Sequence, residues 1–199
     1  MQIMDRLFEI MTTARKVGHQ KGLDALLARC ESFGINVVFE PYSYKRPTAN
    51  RDFGWDGNGT LRINNRRSGK RAVFDIAHEL AHWMCATPAR RNVIEFGLGT
   101  GFSTNDIRAA DKARRVSRQT ATYEEEAVCI LAGLMLYEIG QDVRRESEMV
   151  SFIEEGDWPQ RGEAKLFEKL LKNLIRWGMV SKDLELTWQS RDAKDILRV

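Results

Sequence analysis

Apolar residues recur at helical spacing from the start of the chain. Ile3, Met4, Leu7, Phe8, Ile10 and Met11 fall on one side of a helical period and predict an amphipathic helix over 2–16. A second predicted helix, 20–33, sets Leu23, Leu26, Leu27 and Cys30 on one face, and Gly34 is placed to end it. The pattern then changes. INVVFEP is a β-branched run closed by Pro41 and reads as a strand. Asp56-Gly57-Asn58-Gly59 is turn chemistry, and TLRIN after it alternates polar and apolar residues as a half-buried strand does. The basic loop RRSGKR leads into a largely apolar helix, 71–86, which Pro88 stops.

Beyond Pro88 the segment RRNVIEFGLGTGFST is glycine-rich. Gly97, Gly99 and Gly101 lack the G-K-[ST] ending and the preceding strand of a phosphate loop, so the segment reads as a loop beside a cleft. Ser103 or Thr104 is placed to cap a charged helix over 104–117. Thr122 followed by Glu125 is a capping-box pattern for the next helix, YEEEAVCILAGLMLYEIG. Two more amphipathic helices, 141–155 and 162–177, are separated by GDWPQRG. The tail from Gly178 reads as a short strand or a loop. The expected architecture is α+β, with a small β-sheet in a first unit over 1–140 and a helical extension over 141–199 packed on it.

The apolar helix carries the chemistry. Its stretch FDIAHELAHWM is an H-E-x-x-H motif formed by His78, Glu79 and His82. Histidines four apart share a helix face, so both imidazoles can reach one Zn²⁺. Glu79, beside the first histidine, is placed to act as general base on a water that the metal activates. Phe74, Ile76, Ala77, Leu80, Ala81, Trp83 and Met84 make this a buried helix, and buried histidines beside a glutamate call for a metal rather than solvent.

Composition narrows the setting. The chain has 199 residues, 43% hydrophobic and 30% charged, which is ordinary for a soluble globular protein. A net charge of +3 gives no reason to expect direct nucleic-acid binding. The basic cluster Arg108, Lys112, Arg114, Arg115 and Arg118 reads as a solvated helix face. Cys30, Cys85 and Cys129, odd in number and in apolar surroundings, read as reduced core cysteines of a cytoplasmic protein. The N-terminus has no signal-peptide pattern and VCILAGLML is too short to span a bilayer, so no membrane association is expected.

A catalytic zinc needs a third protein ligand. His19 lies in what reads as a loop far upstream, so carboxylates or thiolates remain. Glu124, Glu125 and Glu126 open the YEEEAV helix, and spacing alone does not choose among them because together they cover most of one turn. Tyr123 reads as packing at the helix start.

An apolar stretch ending in A-H-E-L-A-H, followed tens of residues later by EEEAVCILAGLML, resembles the ImmA/IrrE family of zinc metallopeptidases. NGTLRINN fits the same pattern, and the resemblance covers roughly 35–137. It departs from the family at Val128, where a polar residue is usual, at Tyr137, where proline is common, and in the longer segment between the two motifs. The resemblance implies a zincin-like fold and Zn²⁺ held by His78, His82 and Glu126, the glutamate directly before Ala127, with Glu79 as catalytic base. It also implies regulatory proteolysis of a specific protein substrate, such as a helix-turn-helix repressor, in a bacterium or mobile element. Two rival readings keep the same site. One is a non-catalytic metal-binding interaction protein of a phage or plasmid. The other is a zinc hydrolase acting on a non-peptide bond.

Overall fold

The computed structural model describes residues 3–12, 18–40, 54–64, 69–97, 117–141 and 161–198. These form a mixed α+β arrangement. Helices α1 (Ile3–Thr12) and α2 (His19–Ser32) precede strands β1 (Asn36–Glu40), β2 (Gly54–Trp55) and β3 (Thr60–Asn64). Helix α3 (Gly69–Cys85) carries the H-E-x-x-H motif. After it come the short α4 (Pro88–Arg91), a 3₁₀ turn (Ile94–Gly97), the long α5 (Arg118–Glu138) and α6 (Arg161–Arg176).

The strands form one sheet in the order β1-β3-β2, with β1 parallel and β2 antiparallel to β3. Val37 stands opposite Leu61, and Trp55 faces Leu61 from the other side. Alternation along β3 puts Leu61 and Ile63 into the core, where β3 packs on α3. The turn into β3 uses the side chain expected of it. The Asp56 carboxylate accepts from the backbone N–H groups of Asn58 at 2.7 Å and Thr60 at 3.0 Å.

Gly57 in that turn has φ of +76°, and a Cβ built there would stand 2.9 Å from the backbone of Val93 and Ile94. Both the conformation and the space demand glycine. Gly57→Ala is expected to destabilise the chain by more than about 1 kcal/mol, read as a lower denaturation midpoint with an unchanged m-value.

The core is centred on the packing of α3 against α5. Ile76, Leu80 and Met84 of α3 and Ile130, Leu131 and Met135 of α5 are almost fully buried. The amphipathic α6 adds Leu170, Leu171 and Leu174 from the far side of α5. The tail after α6 has no regular strand beyond one bridge between Val180 and Leu186. It returns to α3, where the Arg191 N–H donates to the Met84 carbonyl at 2.9 Å.

Several sequence expectations shift. The expected helix over 2–16 is present as α1 over Ile3–Thr12, and 13–16 lie outside the described residues. His19 is not in a loop: it opens α2, with its Nδ1 2.9 Å from the Gln141 side-chain oxygen. Helix α5 starts at Arg118, four residues before the Thr122/Glu125 box, because Ser117 is its cap and accepts from the Thr120 N–H at 3.2 Å. Glu125 is therefore two turns inside the helix, with its side chain not used in capping. The expected helices over 104–117 and 141–155, and the Trp158-Pro159 pair, lie outside the described residues.

Candidate metal centre

Two helices build the site. On α3, His78 and His82 stand one turn apart, and their Nε2 atoms approach to 3.1 Å. On the facing α5, Glu125 reaches both of them. Its Oε1 lies 3.3 Å from His78 Nε2 and its Oε2 lies 3.2 Å from His82 Nε2. Cys129 follows Glu125 by one helical turn on the same face. One donor atom each from His78, Glu125 and Cys129 lie within 4.8 Å of one another.

The His82 ring is fixed from behind. It is only 7% exposed and stacks on Phe96, with centroids 5.7 Å apart and planes 15° apart. Phe96 stacks in turn on Trp55 at 5.4 Å. The indole N–H of Trp55 donates to the Arg91 carbonyl at 2.6 Å. Phe96 holds φ of +53°, a left-handed conformation that costs an aromatic residue on the order of 1–3 kcal/mol and persists only where the surroundings enforce it. Arg90 helps to enforce it by donating through Nε to the Phe96 carbonyl at 2.9 Å. This column, Trp55–Phe96–His82, orients the imidazole whose Nδ1 is buried without a hydrogen-bond partner.

The electrostatics favour a cation. Burial lowers the basicity of His82, but the hydrogen bond to Glu125 and the charges of Glu125, Glu79 and Glu124 outweigh it. Its pKa is pushed up to about 9. Burial acts against the charged form of Glu125, yet contact with His82 and the charge of His78 bring its pKa below the ordinary carboxylate range. A proton on His82 thus stands where a divalent cation would be held more tightly.

The three adjacent glutamates have separate positions. Glu124 is fully buried and points away from the histidines, into a salt-bridged triad with Arg90 and Arg191. Arg90 Nη1 donates to Glu124 Oε2 at 2.9 Å, and Arg191 Nη1 donates to the same oxygen at 3.3 Å and to the Cys85 carbonyl at 3.2 Å. Glu126 is half-buried and outside the donor cluster that forms among the described residues. The sequence expected Glu126 to meet the two histidines; the contacts bring Glu125 to both of them. Consecutive helix residues are turned by about 100°, and Glu125 is the one whose carboxylate is turned onto both histidines of α3. Glu79 is half-buried on α3, near enough for its charge to act on His82. Tyr123 packs at the edge of the core, and its hydroxyl accepts from Gln119 at 3.1 Å.

A family model for the IrrE N-terminal-like domain matches residues 30–130. The chain belongs to the ImmA/IrrE metallopeptidase family. The match runs from the end of α2, through the sheet and motif helix, to the first half of α5, so it contains every donor described above. Comparison with curated proteins and with solved structures finds no match for this ImmA/IrrE chain. No helix among the described residues is long and apolar enough to cross a membrane.

The donor set suits the zinc of that family. With Zn–N and Zn–O distances of roughly 2.0–2.1 Å, two ligand atoms on one tetrahedral zinc lie about 3.3 Å apart. The separations of 3.1, 3.2 and 3.3 Å among the two imidazoles and the Glu125 carboxylate fit such an arrangement.

Proposed function

We propose that this chain is a zinc-dependent metallopeptidase of zincin-like fold that cleaves one specific protein, with Zn²⁺ held by His78, His82 and Glu125. The observation that carries the reading is the convergence of two imidazole nitrogens and one carboxylate at 3.1–3.3 Å on facing helices. When bound, zinc supplies Lewis acidity, which polarises a scissile carbonyl and acidifies a water. Glu79 accepts that water's proton and delivers it to the leaving amine nitrogen, so the glutamate begins and ends the cycle ionised. Phe96 keeps the His82 ring from turning. The acidic pair Glu79 and Glu125 keeps the site attractive to a cation. A protein substrate follows from family membership, and a transcriptional repressor in the cytoplasm of a bacterium is the form the resemblance favours.

Glu79→Gln tests the reading. The variant is expected to keep its fold and bind Zn²⁺ as the parent does, while cleavage falls by roughly 10²–10⁴. Co-expression with repressors encoded beside the chain, followed by fragment mapping, reads the activity. Equal cleavage by parent and variant would remove Glu79 from the mechanism. Tight binding without cleavage by either would favour an interaction protein that retained the site.

A further inference from the structure

Two helices each offer a pair of donors one turn apart, and the pairs face each other. Helix α3 presents His78 and His82, and α5 presents Glu125 and Cys129. A catalytic zinc keeps one position open beside three protein ligands, whereas four protein ligands close the site. Resting on the reading above, we propose that Cys129 is a fourth, displaceable ligand, so that this chain holds its metal in a His₂-Glu-Cys site that is closed until substrate arrives.

Three observations support it. The Cys129 sulfur lies within 4.8 Å of the donor atoms of both His78 and Glu125, and it is 6% exposed, shielded from competing solvent. It is in no disulfide. The nearly fully buried His82 also directs its Nε2 into the cluster, 3.2 Å from Glu125 and 3.1 Å from His78. The other two cysteines differ in kind. Burial pushes the Cys30 thiol up to about 12 and the Cys85 thiol higher still, and neither belongs to the donor cluster.

On binding, the Cys129 thiol releases its proton to solvent as the sulfur–metal bond forms. Displacement by a substrate carbonyl or by water would let the sulfur take a proton back from solvent and would hand its coordination position to the incoming oxygen. The soft sulfur also biases the site toward Zn²⁺ and Co²⁺ and away from Mg²⁺ or Ca²⁺. Such a peptidase is latent, and the fit of its substrate rather than mere collision exposes the reactive centre.

Cobalt substitution of the full chain tests this without any substrate. Metal-free protein titrated with Co²⁺ is expected to develop a near-ultraviolet sulfur-to-cobalt charge-transfer band together with the visible bands of the ion. In Cys129→Ala the visible bands should remain, the charge-transfer band should vanish, and Zn²⁺ affinity should fall roughly tenfold or more. Cys85→Ala should keep the charge-transfer band. One bound Co²⁺ without that band in the parent chain, or its persistence in Cys129→Ala, would overturn the proposal and leave the three-ligand peptidase intact. Failure of the folded parent to bind Co²⁺ would overturn both.

Discussion

Glu125→Gln is expected to weaken zinc binding by more than about 100-fold, whereas Glu126→Gln changes it by less than about tenfold. Loss of an outer partner of a metal ligand typically costs 10–100-fold, so loss of the carboxylate that reaches both histidines should cost more. Competition against a chromophoric chelator measures both. The pH dependence separates the variants further. His82 is held protonated up to about pH 9 in the metal-free chain and must lose that proton to bind zinc. Apparent affinity in the parent chain should therefore climb as pH rises toward 9. In Glu125→Gln the main group that raises the His82 pKa is gone, burial then dominates, and the climb should flatten at neutral pH. Matching losses in Glu125→Gln and Glu126→Gln would mean that the carboxylate nearest the histidines is not a ligand.

The second large effect concerns the neighbouring glutamate. Glu124→Gln should bind zinc with little change yet melt roughly 6–20 °C lower. Glu124 is fully buried between Arg90 and Arg191, each 7% exposed. Neutralising it leaves two arginine charges together inside the protein, and breaking a buried pair in this way costs about 3–5 kcal/mol. For a domain of this size each kcal/mol is worth roughly 2–4 °C. Glu168→Gln is the control. Its ion pair with Lys172 lies on the exposed face of α6, so melting should hardly change. A Glu124→Gln melt as mild as that of Glu168→Gln would show that the triad does not hold the tail to α3. The expected results together would separate adjacent glutamates by function as well as direction, Glu125 serving affinity and Glu124 stability.

How much of this the sequence disclosed depended on whether one helix or two had to be in register. The motif helix was legible because H-E-x-x-H is a local pattern within an apolar run, and α3 spans Gly69–Cys85 against an expectation of 71–86. The strand at Thr60–Asn64 followed from its alternation and from the Asp-Gly turn before it. Which of the three glutamates meets the histidines was not legible in the same way, because that depends on the rotation of α5 relative to α3. The apolar pattern did not separate the two phases: Cys129 and Ala132, four and seven residues after Glu125, are buried, and so are Ile130 and Gly133, four and seven after Glu126. The family-like pattern pointed to the glutamate beside Ala127, and the capping box gave Glu125 a role at the helix start. The Phe96 column and the Arg90–Glu124–Arg191 triad gave no local pattern, since each joins segments far apart in the chain. Phe96 lay in a segment read only as a glycine-rich loop.

Arg191 meets Glu124 and the end of the motif helix across 67 and 106 residues. A ribosome must therefore deliver about a hundred residues beyond His78 and His82 before the last buried charge finds its place. During that interval α3 and α5 can already have packed, but the charge balance beneath them is incomplete. A nascent chain of this design reaches its full stability only when this C-terminal segment has arrived. It also makes residues 177–191 a point of control. Whatever pulls this strap from the underside of α3 would loosen the helix that carries both histidines without touching the side that faces Glu125.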